Sequence, residues 1–229
     1  MIDFAAIKRE CDGMMRPDVY ASIHEAALTA PDGLFVEIGT AHGASSVCLG
    51  LAAKASGINV RTFDSFRKGG RSNYGDAEKN EAIARANIDR FGLADTVTVH
   101  KCEVAQVPGY LDDTPISLLM LDCDGQIDRD IAALFDKLAP SASIIIDDCA
   151  PRSRVKDRGD GTCRIDQKHL LTWLLTESLT RAGVLVRTGG AYQTWFGRKG
   201  DAEFLAWSMD ERLAAYRGLV FADGELRRG

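Results

Sequence analysis

The chain has 229 residues, 45% of them hydrophobic and 27% charged, enough to bury one substantial core and short for two. A formal charge of -5 and a sequence pI near 5.4, without a long run of lysine and arginine, argue against a surface that tracks nucleic-acid phosphates. The opening residues lack the basic-then-apolar order of a signal peptide and no uncharged apolar run reaches bilayer length, so a cytoplasmic protein with no membrane partner is expected.

In chain order, residues 2–30 read as one or two helices, packed on a sheet or closing over a site. Short apolar, β-branched runs punctuated by Gly, Asp or Pro follow at 34–38, 59–63, 96–100, 116–121, 143–146, 184–187 and 192–196, and are strand candidates. Between them, apolar residues return every three or four positions at 45–56, 76–91, 128–138 and 167–181, the helical period. Residues 201–217 read as a closing helix. Two stretches, 64–75 and 150–166, are too polar and Gly-rich for the core and read as loops.

This alternation predicts one α/β domain over 1–229, a Rossmann-like three-layer sandwich around a mostly parallel seven-stranded sheet. Only Thr188-Gly189-Gly190-Ala191 separates the last two strand candidates. No crossover helix fits there, so the sheet ends in an antiparallel C-terminal hairpin. The six cysteines (Cys11, Cys48, Cys102, Cys123, Cys149 and Cys163) show no Cys-x-x-Cys spacing and read as reduced, mostly buried thiols.

In open parallel sheets, ligands bind beyond the carboxyl ends of the strands. After the first strand stands Glu37-Ile38-Gly39-Thr40-Ala41-His42-Gly43-Ala44-Ser45. Gly39 permits a sharp turn, Gly43 permits close approach of a ligand, and Ser45 opens a helix whose free N–H groups can receive a carboxylate. A strand-to-helix turn with no ligand could carry the same glycines. Asp64, ending the next strand, stands where a ribose-binding carboxylate belongs. Ala41 and Ala44 occupy the places of the second and third glycines of a dinucleotide fingerprint, which favours a nucleoside without phosphates.

Together with Phe63-Asp64-Ser65-Phe66, Leu121-Asp122-Cys123-Asp124-Gly125 and Ile144-Ile145-Ile146-Asp147-Asp148, this segment resembles the class I S-adenosylmethionine-dependent methyltransferases. It is most similar to the metal-dependent small-molecule O-methyltransferases of the catechol and macrolide-sugar type, over roughly 34–148. The resemblance implies that Glu37, Gly39, Thr40, Gly43 and Ser45 surround the methionine part of the cofactor. It sets Asp64 and Ser65 at the ribose and Glu103 at the adenine edge, where the family often has Gly-Asp. The His that often follows the fourth-strand acid is replaced by the neighbourhood of Gly125 and Gln126.

Asp122 ends the fourth strand and Asp147 and Asp148 end the fifth, so three carboxylates converge on one crevice. Their repulsion would be relieved by a divalent cation with oxygen ligands, Mg²⁺ first among them. In metal-free relatives of the fold Asp122 would instead contact the cofactor, Asp147 would cap a loop and Asp148 would be solvated. Methyl transfer to a hydroxyl also calls for removal of a proton, and His169 is the best-placed base among the four histidines. The expected activity is O-methylation of a small molecule aided by the cation. The alternatives are a metal-free methyltransferase, a hydroxylase-like relative on the same fold, or a nucleoside-binding module without catalysis. Assembly as a homo-oligomer is left open.

Overall fold

A computed structural model describes residues 2–67, 77–157, 159 and 161–204. Its strands are β1 Leu34–Ile38, β2 Val60–Asp64, β3 Val97–Lys101, β4 Ile116–Leu121, β5 Leu138–Ile146, β6 Arg154–Asp157, β7 Cys163–Asp166, β8 Leu185–Ala191 and β9 Thr194–Lys199. The α-helices are α1 Phe4–Glu10, α2 Pro17–Leu28, α3 Ala44–Ser56, α4 Ala77–Arg90, α5 Ile127–Leu134 and α6 Lys168–Arg181. Seven strands make one sheet in the order β3-β2-β1-β4-β5-β9-β8, parallel except where β9 meets β5 and β8.

The central strands β1 and β4 are buried along their whole length, as expected of parallel strands covered on both faces. Their side chains alternate between two cores. Phe35, Leu118 and Met120 join a cluster with Ile7, Val19, Ile23 and Val47 from α1, α2 and α3. Val36, Ile38, Leu119 and Leu121 join another with Ile127 and Ile131 from α5 and Leu175 and Leu179 from α6. Three layers result, with the N-terminal helices part of one of them. Among the described residues no helix is long and apolar enough to cross a membrane.

The structure departs from the sequence reading in four places. Residues 150–166 are not loop throughout, because β6 and β7 pair antiparallel across them, with Val155 opposite Ile165. The C-terminal hairpin turns at Tyr192 and Gln193, since Ala191 pairs with Thr194. The stretch 188–191 belongs to β8, with an irregularity between Arg187 and Gly189. The helix expected over 128–138 ends at Leu134 and passes through a 3-10 turn, Phe135–Lys137, into β5. Pro140 forces Ala139 into extended backbone, which bars any helix from running on into β5. A 3-10 helix, Val104–Tyr110, follows β3 and had no clear apolar period to announce it. Most of the expected closing helix lies outside the described residues, as do 68–76 of the loop after β2.

Candidate active site

The strand order reverses between β1 and β4, and the crevice beyond such a reversal is where α/β sheets hold ligands. Here it encloses about 310 Å³ of empty space, part of it open to solvent. Residues 11–15 and Tyr20 form one wall. The loop 39–42, Ala44 and Ser45 at the head of α3, and Asp122 form the rest. Gly39 sits at the base with φ 105°, and a Cβ there would lie 2.0 Å from the carbonyl oxygen of Asp122. Only glycine lets the end of β1 run this close to the end of β4.

Asp64 ends β2 and reaches across to the loop after β1. Its Oδ2 accepts the Ala41 N–H at 2.8 Å and its Oδ1 the Phe66 N–H at 2.7 Å. Ala41 and Phe66 both adopt positive φ, 49° and 53°, a conformation that non-glycine residues hold only when their surroundings fix it. One carboxylate thus braces two strained turns, and each of its oxygens keeps a lone pair for a further donor. Ser65 stands next to it, partly buried.

Beneath the loop, Glu37 is fully buried. Its Oε2 accepts from the hydroxyls of Ser46 and Thr62, the latter at 2.6 Å, and Thr62 Oγ1 lies 2.6 Å from Thr40 Oγ1. Burial pushes the Glu37 carboxyl up to about 7, against the opposing pull of the Ser45, Ser46 and Thr62 hydroxyls. Gly43, with φ 85°, is the residue before α3. Glu103 lies past β3, caps the 3-10 helix and pairs with Arg67 at 3.0 Å on the surface. His42 Nδ1 is 3.7 Å from Asp12 Oδ2 at the rim.

The second half of the site follows from the register of β4 and β5, in which Leu121 pairs with Ile146. Asp122 and Asp147 therefore leave the sheet side by side. One oxygen each from Asp122, Asp147 and Asp148 lies within 4.8 Å of the others. Burial, with the charges of Asp122 and Asp148, lifts the Asp147 carboxyl to about 7. Burial also raises Asp122 despite the opposing charge of Lys168. At Asp148 burial acts upward too, but the Lys168 ammonium and its hydrogen bond prevail and hold the carboxyl below its ordinary value.

Residues 36–149 match the model of a methyltransferase domain, from the middle of β1 past the end of β5, with Glu37, Asp64, Glu103, Asp122, Asp147 and Asp148 inside the match. The chain belongs to the class I S-adenosylmethionine-dependent methyltransferases. Solved structures share the fold of this methyltransferase. A Staphylococcus aureus protein assigned as a caffeoyl-CoA O-methyltransferase matches with a TM-score of 0.66 at 15% identity, over 87% of this chain and 93% of that one. An O-methyltransferase from Bacillus cereus, in complex with SAH, gives 0.60 at 17% identity, covering 87% and 90%. TomG from Streptomyces achromogenes, an O-methyltransferase of tomaymycin synthesis in complex with SAM, gives 0.59 at 16%, covering 87% and 88%. No curated protein matches the sequence.

The methyltransferase also places a cation in its acidic cluster. Lys168 Nζ, from the first residue of α6, lies 2.8 Å from Asp148 Oδ2 and 3.5 Å from Asp122 Oδ1. The nearby carboxylates raise its pKa above the ordinary value in spite of burial. A divalent ion takes roughly six to eight oxygens at about 2.0–2.6 Å, and an ammonium already paired with two of the same carboxylates would repel it and compete for their oxygens. Asp122, Asp147 and Asp148 are hard-oxygen donors of the right kind, but with Lys168 between them they do not fit such an ion.

His169 is 1% exposed and is absent from the crevice wall. Its Nε2 lies 3.1 Å from Asp148 Oδ1, and burial lowers its pKa. The sequence reading passed over Lys168, Arg154 at 3.9 Å from Asp148, and Thr194, whose hydroxyl donates to Asp147 Oδ1 at 2.5 Å. Residues 11–15, within the N-terminal stretch read as packing on the sheet or closing over a site, line the crevice. For Lys168 the available signal was its place beside His169, at the start of a helix that follows the acidic end of the fifth strand.

Proposed function

We propose that the crevice binds S-adenosylmethionine and that the methyl group passes to a hydroxyl of a small molecule held at the carboxylate cluster. The observation that carries this reading is the continuity of one cavity wall from the head of α3, past Gly39, to Asp122. It sets the crevice beside the acidic end of β4, and the loop 39–42, Ser45 and Asp122 lie within the stretch that matches a methyltransferase domain. The B. cereus and TomG structures, of the same fold, hold SAH and SAM.

In this reading the N–H groups at the head of α3, with Ser45, receive the methionine carboxylate. Gly39, Thr40 and Gly43 shape the loop that carries them, and Glu37 braces that loop from below. Asp64, with Ser65 beside it, uses its remaining lone pairs for the ribose hydroxyls, and Glu103 borders the adenine. Asp122 stands between the two halves.

The bound donor supplies an electrophilic methyl carbon: the acceptor oxygen forms the new C–O bond while the C–S bond breaks, its electron pair staying on sulfur. The chain's part is alignment of donor and acceptor. The hydroxyl proton passes to a carboxylate of the cluster, and His169, enclosed behind Asp148, serves to hold that carboxylate in place. The divalent ion suggested by the sequence pattern competes with Lys168 for one position.

Methyl transfer from labelled S-adenosylmethionine to a panel of phenols, sugars and small hydroxy acids tests the proposal. A labelled product from at least one class is expected. Cofactor binding with no transfer to any acceptor would favour a nucleoside-binding module instead.

A further inference from the structure

We infer that Lys168 is the resident cation of the acidic cluster, standing where a divalent ion would stand and holding the acceptor oxygen in its place. The part that concerns the acceptor rests on the methyltransferase reading above. The part that concerns the ion does not.

The fold delivers this lysine deliberately close. Its backbone N–H donates to Asp166 Oδ1 at 3.2 Å, and its carbonyl accepts the Thr172 hydroxyl at 2.9 Å, so the first turn of α6 is fixed at both ends. Gly125, in the loop after β4, faces that turn. A Cβ at Gly125 would lie 3.1 Å from Lys168 Cγ, 3.0 Å from Thr172 Oγ1 and 3.3 Å from the Lys168 carbonyl oxygen. Glycine there leaves the space through which the lysine stem reaches the carboxylates.

The carboxylates are also already partnered in ways that suit an ammonium. Asp148 has Lys168 on one oxygen and His169 with Arg154 on the other. Asp147 takes the Thr194 hydroxyl. Two side-chain cations, Lys168 and Arg154, thus stand against three carboxylates. An ammonium carries three N–H donors, and only two carboxylates lie within ion-pair distance of Lys168 Nζ among the described residues. The third donor is available to a single acceptor oxygen. A metal would favour acceptors that chelate through two adjacent oxygens; a lysine makes no such demand, so simple monohydroxyl compounds are acceptors of the right class.

The test is Mn²⁺ titration of the full chain, stripped with chelator and desalted, followed by the free-ion signal in electron paramagnetic resonance. Wild type should leave the signal undiminished. Lys168→Ala and Lys168→Gln should each bind one Mn²⁺ at least tenfold more tightly than wild type, and adding Asp147→Asn to either should abolish it. Two substitutions guard against one that fails to fold, with circular dichroism as the check. Wild type taking up one Mn²⁺ per chain in an Asp147-dependent manner would overturn the inference, as would variants that bind no better than wild type. Calorimetry with S-adenosylmethionine in chelator, run alongside, reports separately on the methyltransferase reading: absence of cofactor binding would strike that reading and leave the manganese result standing.

Discussion

Asp64, at the end of β2, and Ala41, in the loop after β1, are joined by one hydrogen bond of 2.8 Å from the Ala41 N–H to Asp64 Oδ2. It ties together the two turns that flank the crevice, and the same carboxylate fixes Phe66 on the other side. Asp64→Ala removes both bonds and the proposed ribose contact. Hydrogen bonds to a charged group are each worth about 1.5–3 kcal/mol, so cofactor affinity should fall at least tenfold by calorimetry. Unchanged affinity would mean that the ribose lies elsewhere.

Gly39→Ala tests the close approach of β1 and β4. The added methyl group would meet the Asp122 carbonyl at 2.0 Å in a backbone conformation that alanine resists. A loss of at least ~1–3 kcal/mol is expected in urea unfolding, together with weaker cofactor binding because the loop must shift. Wild-type stability in this variant would contradict the geometry.

Glu37 makes stability depend on pH in an unusual sense. Burial raises its folded pKa to about 7, above the ordinary value of 4.5. Between those values the folded state keeps a proton that the unfolded chain has released. Stability is therefore lost as pH rises from about 4.5 through about 7. The loss is on the order of 3 kcal/mol. Glu37→Gln cannot ionise and should lack this slope. Denaturant unfolding of both proteins across that window should show wild type losing stability relative to the variant as pH rises; parallel curves would show that the carboxyl is not held neutral.

Much of this arrangement is legible from residue order. Strands β1, β4 and the end of β5 announce themselves as short, mostly apolar runs bounded by Gly, Pro or Asp, and Asp122 follows β4 directly as Asp147 and Asp148 follow β5. That the ends of β4 and β5 face one crevice follows from the topology, and the register pairing Leu121 with Ile146 sets Asp122 beside Asp147. Lys168 was not foreseen, because its contact with Asp122 spans 46 residues and depends on how α6 seats against Gly125, a packing detail with no periodic signature. The turn at Tyr192 and Gln193 was hidden by the two glycines just before it, which draw a turn assignment although they sit in strand β8. The end of α5 at Leu134 is masked because Phe135 and Leu138 continue the helical apolar period past it.

The central claim, that this crevice holds S-adenosylmethionine, is tested most directly by isothermal titration calorimetry of the whole chain with S-adenosylmethionine in the presence of chelator. One site per chain is expected, with a dissociation constant within ~1 μM–1 mM, the usual range for enzyme substrates, and competition by S-adenosylhomocysteine. No detectable heat or competition at millimolar ligand, from protein shown to be folded, would contradict it.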